Sequence, residues 1–192
     1  MSRWGALAFR HVSDGFDAED APGALADLTG YELWDRTQQA GHRVAAAYGR
    51  MLGAGSASGR VAAAPEFLRG VRQLLALRLV AVAGDRRKAF PQSVPPARSH
   101  GVAALWAEVF WAARARSPDD DSGVLEAADV SIRGLLTLEP SALADPATVQ
   151  AWWERLELVE ETLGGLDMEA QVTVEELQAS AEHEQQVRGE TR

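Results

Sequence analysis

Apolar residues along the chain recur every three to four positions, a spacing that places them on one face of an α-helix. The clearest case begins at Asp145, a natural N-cap, and continues with Pro146, which suits the first helical position. Its apolar stripe consists of Val149, Trp152, Leu156, Val159 and Leu163. Gly164 and Gly165 follow, and glycine is typical of a helix end. We therefore predict a helix that begins at Pro146 and ends at these glycines.

Two earlier segments show the same periodicity. Residues 31–52 place one stripe on a helix, formed by Trp34, Gly41, Val44, Ala45, Tyr48 and Leu52. Residues 99–117 place a second stripe, formed by Val102, Leu105, Trp106, Val109, Phe110 and Ala113. Three tryptophans lie on predicted stripes and are therefore core candidates: Trp34, Trp106 and Trp152.

Two later segments are also predicted to be helical. Residues 122–140 have Ser122 as a candidate cap, and Pro140 closes the segment. The last segment begins with a capping box that pairs Thr173 with Glu176. Its apolar side thins out after Ala181, so we expect the end of the chain to fray.

Residues 74–83 allow two interpretations, because their apolar run fits either a buried helix or a short strand. Pro65 suits the first turn of a helix that would continue through this run. We favour the helix, since a lone strand would have no partner with which to form a sheet. The proline-rich residues 90–100 cannot be helical and are interpreted as a connector.

These patterns predict an all-α fold: a helical bundle or a short stack of antiparallel helix hairpins, with six or seven helices. Residues 1–168 are expected to form a single helical domain, in two halves joined by the connector at 90–100. Residues 169–192 are expected to form an acidic, partly flexible C-terminal helix or tail.

Charge is distributed unevenly along the chain, whose formal net charge is −9. Residues 59–116 carry ten basic and three acidic residues, whereas residues 117–192 carry four basic and eighteen acidic residues. The two segments either lie against each other in the fold or present a basic face and an acidic tail to a partner. We favour the first interpretation. The sequence leaves open whether such pairing occurs within one chain or between chains.

The composition narrows the classes of function. A hydrophobic content of 46% is typical of a folded globular protein. The absence of cysteine excludes disulfides, thiolate nucleophiles and zinc sites that need sulfur. The longest apolar run, 74–83, is interrupted by Arg78 and is far shorter than the roughly 20 residues that span a bilayer. We expect a cytoplasmic protein that does not contact a membrane.

No motif for catalysis or for a cofactor stands out. Gly53, Gly55 and Gly59 come close to a dinucleotide fingerprint, but such a loop follows a strand in a βαβ unit, and here a helix precedes it. We interpret the glycines as a helix stop and a flexible connector. The acidic residues 119–121 lack the spacing of a calcium loop, and the four histidines are scattered. We therefore expect no cofactor, no metal and no catalytic residue, and we do not expect an enzyme.

Five residues are candidates for an interface with another molecule. Trp111 and Trp153 are rotated off the apolar stripes of their helices, so either further helices cover them or they form an exposed aromatic patch. Of the two alternatives we favour burial. Arg86, Arg87 and Lys88 form a basic run at a predicted helix end, where cations also offset the helix dipole.

The function that these observations favour is a non-catalytic protein–protein interaction module, such as an adaptor, an assembly factor or a regulatory or neutralising partner. Its partner would be another protein or a second copy of the chain. One alternative is a small-molecule-binding or enzymatic helical bundle with a pocket lined by tryptophans. A second alternative is a regulator that binds nucleic acid through the basic middle segment, although the acidic C-terminal segment would repel a polyanion. We therefore do not expect nucleic acid as the partner.

Overall fold

The computed structural model describes Leu25, Leu28 and residues 30–90, 101–119 and 122–190, with side chains as far as residue 181. This part of the chain is all-helical and contains no strand. Its five α-helices are α1 (Gly30–Gly53), α2 (Ala57–Ala89), α3 (Val102–Arg116), α4 (Val124–Thr137) and α5 (Pro146–Glu190), with a short 3-10 helix at Pro140–Ala144. The all-α prediction is confirmed. The connector predicted at 90–100 lies almost wholly outside the described residues.

The hairpin of α1 and α2 turns at the glycine-rich stretch. Helix α1 ends at Gly53, and α2 begins at Ala57 after three intervening residues. Ser56 is the N-cap of α2, because its Oγ accepts a hydrogen bond from the backbone N–H of Gly59 at 3.1 Å. The stretch therefore ends one helix and caps the next, and Gly59 already belongs to α2.

Helix α2 lies at the centre of the fold and packs against the other helices. It is one helix of 33 residues that includes Pro65, so residues 74–83 are helical and the strand alternative is wrong. Its apolar run is buried on several sides: Leu74, Leu75, Ala76, Leu77, Leu79, Val82 and Ala83. A helix covered on all sides needs apolar residues around its whole circumference, which explains why the run resembled a strand.

The buried face of α1 differs from the predicted stripe. The side chains that α1 buries are those of Ala40, Val44, Ala47 and Met51. Trp34 is 58% exposed and Leu52 is 45% exposed, so the prediction that Trp34 belongs to the core is wrong. The face is rotated by about one residue because the small Ala40 and Ala47 allow α1 to approach α2 closely. Val44 lies so near Gly70 that a Cβ at Gly70 would be 2.9 Å from Cγ2 of Val44.

Helix α4 packs against α3 and α5 through two tryptophans. Trp106 is buried, and its Nε1 donates a hydrogen bond to Oδ1 of Asp129 at 2.9 Å. Trp152 is partly buried and lies over Gly134, where an added Cβ would be 2.4 Å from Cη2 of the indole. Both side chains were predicted to face the core, and both pack there.

Helix α5 is much longer than predicted. It begins at Pro146, and Asp145 caps it by accepting a hydrogen bond from the N–H of Thr148 at 3.0 Å. The helix then passes through Gly164 and Gly165 without a break and continues to Glu190. The predicted end at these glycines is therefore wrong, as is the capping box, because Thr173 Oγ1 donates to the carbonyl of Glu169 within the helix at 2.9 Å.

The continuity of α5 has a physical reason. Each glycine costs a helix about 1 kcal/mol relative to alanine. This cost is offset because Leu163 is buried before the glycines and Ala170 is buried after them. The domain boundary predicted at residue 168 accordingly falls inside one helix.

The basic middle segment and the acidic C-terminal segment contact each other within one chain. Arg78 lies 3.1 Å from Glu160, Arg86 lies 2.8 Å from Glu169, and Arg116 lies 3.0 Å from Glu169. The interpretation that these segments lie against each other is therefore confirmed. No helix in the described part of the chain is long and apolar enough to cross a membrane.

Candidate functional site

A cleft of about 270 Å³ lies between α1 and α5. Both helices pack on α2, but they contact each other much less, which leaves a gap over the α2 surface. The ion pair of Arg50 with Glu66 shows that α1 is antiparallel to α2, and the contacts of α2 with Glu160 and Glu169 show that α5 is parallel to it. Helices α1 and α5 are therefore antiparallel.

The floor and one end of the cleft are apolar. Val44, Leu74 and Leu156 form the floor. Tyr48 stacks on Trp153 next to it, with ring centroids 4.2 Å apart and planes inclined by 16°. The stacked pair joins α1 to α5 and fixes the position of the indole in the wall of the cleft.

Two carboxylates of α5 line the cleft beside Trp153. Glu157 Oε1 accepts a hydrogen bond from Trp153 Nε1 at 2.6 Å. Glu160 is seven residues, or about two helical turns, beyond Trp153 and pairs through Oε2 with Nε of Arg78. Its other oxygen, Oε1, is buried and has no hydrogen-bond partner among the described residues.

Burial dominates the electrostatics of Glu160. It raises the pKa of the carboxyl above its usual value, and the charge and hydrogen bonding of Arg78 only partly offset this rise. The carboxylate is thus incompletely compensated, so an additional hydrogen-bond donor or cation in the cleft would stabilise its charged form.

The α1 wall of the cleft is small and polar. It consists of Thr37, Gln38, Gly41 and His42. A Cβ added at Gly41 would meet no described atom within 4 Å, so this glycine faces open space.

Exposed aromatic residues continue the α1 wall beyond the cleft. Trp34 is 58% exposed and precedes Gln38 by one turn on the same face of α1, and Tyr31 is 74% exposed and precedes Trp34. Their ring centroids are 6.1 Å apart. Because α1 and α5 are antiparallel, Met168, which is also exposed, lies at a similar level on α5.

The five interface candidates predicted from the sequence lie at different places in the structure and do not form one surface. Trp153 lies partly buried in the cleft wall, whereas Trp111 is 67% exposed on α3, where its ring meets Phe110 edge to face. Arg86 is fully buried and therefore does not lie on the surface. Arg87 lies 3.7 Å from Glu108, and Lys88 lies 2.7 Å from Asp85.

Arg86 belongs to a structural clamp, which we define as Arg86, Arg116, Glu169 and Phe90. Glu169 accepts hydrogen bonds from Arg86 Nη1 at 2.8 Å and from Arg116 Nε at 3.0 Å. Both guanidinium groups lie over the Phe90 ring, at 5.1 Å and 3.7 Å from its centroid. Burial alone would raise the pKa of Glu169, but the two arginines outweigh it and hold the pKa below its usual value.

Sequence reasoning missed the residues of the cleft other than Trp153. Gly41 and Val44 were assigned to a core stripe, and His42, Glu157 and Glu160 received no role. The one available signal was the spacing of Trp153, Glu157 and Glu160 at four and three residues, which places them on one face of α5. In the described residues, no three side chains of His, Asp or Glu gather in a way that could hold a metal ion.

Comparisons of the chain with models of protein families, with curated proteins and with solved structures found no match. The assignment of a function therefore depends on the residues of this chain.

Proposed function

We propose that the protein is a non-catalytic protein–protein interaction module. Its contact surface, in this proposal, comprises the cleft between α1 and α5 and the exposed aromatic residues beside it. The observation that carries the proposal is the exposure of Tyr31 and Trp34, which touch each other next to an open cleft. Aromatic side chains are enriched at the centres of protein interfaces because they bury a large area with little loss of conformational entropy.

The size of the cleft supports a protein partner over a small-molecule ligand. Pockets for small molecules usually measure about 300–1,000 Å³ and enclose most of the ligand. The cleft measures about 270 Å³, just below this range, and is only partly enclosed. This geometry suits side chains that project from the surface of a partner, so the alternative of a small-molecule-binding bundle has less support.

The cations of the basic run at residues 86–88 already lie next to carboxylates, which argues against a nucleic-acid partner. Arg86 is buried against Glu169, and both Arg87 and Lys88 lie within 4 Å of a carboxylate. Phosphate binding would require these cations to exchange their partners. We further propose a cytoplasmic location for the module, because a chain without cysteine is suited to a reducing compartment.

The experiment that tests the proposal compares two exposed tryptophans on different helices. Trp34 adjoins the cleft, and Trp111 lies on α3 with a similar exposure. We expect the tagged wild-type protein to recover a stoichiometric protein partner from native extract. Trp34→Ala should reduce this recovery at least tenfold, and Trp111→Ala should change it less than twofold.

Two results would contradict the proposed function. The first is recovery that depends on Trp111 and is unaffected by Trp34→Ala, which would place the interface elsewhere. The second is a small molecule retained in native mass spectrometry together with the absence of any partner, which would favour the small-molecule alternative.

A further inference from the structure

We propose that the cleft between α1 and α5 receives an arginine side chain of the partner protein. This inference rests on the proposed function, since it names the chemistry of the partner that the surface would bind. It is carried by three features of the cleft: its volume, its apolar floor and its carboxylates.

The apolar part of the cleft suits the stem of an arginine. A volume of about 270 Å³ leaves room for one long side chain. Val44, Leu74 and Leu156 form a floor on which the methylene groups would pack. Trp153, fixed by its stacking on Tyr48, contributes the adjoining aromatic wall.

The polar part of the cleft suits the guanidinium group. Glu157 and Glu160 both line the cleft, and the side chain of Glu160 is 32% exposed. Its Oε1 is buried without a partner among the described residues, so a rotation of the carboxylate would bring this oxygen to a donor in the cleft. A buried acceptor of this kind gains most from a charge-assisted donor. Arginine fits better than lysine, because its planar group offers several donors, is weakly hydrated and stacks on aromatic rings.

The chain itself contains an example of the proposed arrangement. In the clamp, the single carboxylate of Glu169 binds two arginines, one buried and one partly exposed. Glu160 already binds Arg78 through one oxygen. An arginine from the partner would supply the second cation and complete a similar bridge. Because burial raises the pKa of Glu160, a second cation would also relieve the cost of its buried charge.

The test titrates the full-length protein with N-acetyl-arginine amide and follows the indole N–H of Trp153 by nuclear magnetic resonance. A Trp153→Phe variant identifies this signal among the six tryptophans. N-acetyl-norleucine amide serves as the uncharged control probe. We expect the arginine probe to shift the indole signal of Trp153 and the amides of residues 37–42, with an affinity at least fivefold above that of the norleucine probe.

Two matched variants separate the specific site from general charge. Glu160→Gln removes the proposed partner of the guanidinium and should weaken binding of the arginine probe about tenfold. Glu154→Gln makes the same change of charge at an exposed position of α5 where the carboxylate accepts a hydrogen bond from Gln150, and it should weaken binding less than twofold. Circular dichroism establishes that both variants remain folded.

Several outcomes would overturn the inference. They are an unshifted Trp153 signal at tens of millimolar probe, equal responses to the two probes, and equal effects of the two glutamate variants. If these occurred while Trp34→Ala still abolished partner recovery, the inference would fail and the proposed function would stand. If the probe bound but Glu160→Gln left partner recovery unchanged, the cleft would serve a free ligand and the inference would also fail.

Discussion

Removal of the Glu169 carboxylate should destabilise the fold more than removal of the buried arginine that it binds. Glu169 holds α5 against the ends of α2 and α3, because it bonds to Arg86 at 2.8 Å and to Arg116 at 3.0 Å. Arg86 is fully buried, and two of its nitrogens, Nε and Nη2, have no hydrogen-bond partner among the described residues. Glu169→Gln would leave this guanidinium buried without its counter-charge.

The loss of stability expected for Glu169→Gln depends on how deeply Glu169 and Arg86 are buried. Breaking a fully buried ion pair by removing one member costs about 3–5 kcal/mol. The side chain of Glu169 is 40% exposed, so water would replace part of the interaction, and we expect a cost of roughly 2–3 kcal/mol. For a chain of this length this corresponds to a Tm lower by about 5–10 °C. Arg86→Met removes the desolvated charge itself and leaves Glu169 with Arg116, so it should cost less than about 1 kcal/mol.

The assay is thermal unfolding of the two single variants and of the double variant, followed by circular dichroism. The double variant should resemble Arg86→Met, which gives a coupling of about 2 kcal/mol between the two residues. The pKa of Glu169 is lowered in the fold, so its stabilisation is present above the unfolded pKa and is lost as the pH falls through the folded pKa. The gap between wild type and Glu169→Gln should therefore close in acid. The reasoning is refuted if Arg86→Met costs more than Glu169→Gln, or if the effects simply add.

Two further predictions concern α5 and its neighbours. Gly134→Ala should lower the free energy of unfolding in urea by roughly 1–3 kcal/mol, because its Cβ would lie 2.4 Å from the Trp152 ring. Gly165→Ala should raise this free energy by about 0.5–1 kcal/mol, because no described atom lies within 4 Å of the added Cβ. A loss at both positions would contradict this packing. Burial and the nearby charge of Asp85 raise the pKa of Asp167, so the stability that its carboxyl contributes is complete in acid and is lost as the pH rises through the raised value. Asp167→Asn should therefore raise the free energy of unfolding at pH 7 by less than about 1 kcal/mol, which a slightly higher Tm would show. Well below pH 4 the substitution should leave the Tm unchanged. A lower Tm at pH 7 would refute the raised pKa of Asp167.

Local sequence signals predicted the helices well where caps and packing agree. Asp145 and Pro146 mark the start of α5, because Asp145 accepts a hydrogen bond from the N–H of Thr148 and proline suits the first helical position. Helix α1 ends at Gly53, the first glycine of the predicted helix stop. Gly164 and Gly165 misled the prediction. Their local preference for a helix end is outweighed by the burial of Leu163 and Ala170, which depends on tertiary contacts with other helices.

The cleft could be predicted only in part. The faces of α1 were misassigned because Trp34 is large and apolar, whereas the face that packs on α2 is selected by the small Ala40 and Ala47. Glu160 resembles any exposed helical acid in the sequence. Its burial and its pairing with Arg78 arise from the parallel alignment of α5 with α2, which joins residues about 80 positions apart and leaves no local signature.

The most direct test of the account places the photoreactive residue p-benzoylphenylalanine at one of two exposed positions. Gln38 lines the cleft, and Val130, which is 63% exposed on α4, lies outside it. After irradiation in native extract, we expect a discrete crosslinked protein from position 38 that is absent from position 130. Its yield should fall about tenfold in the Glu160→Gln background. A crosslinked protein of the same mass from both positions, or from position 130 alone, would contradict the claim that the cleft between α1 and α5 is the binding surface.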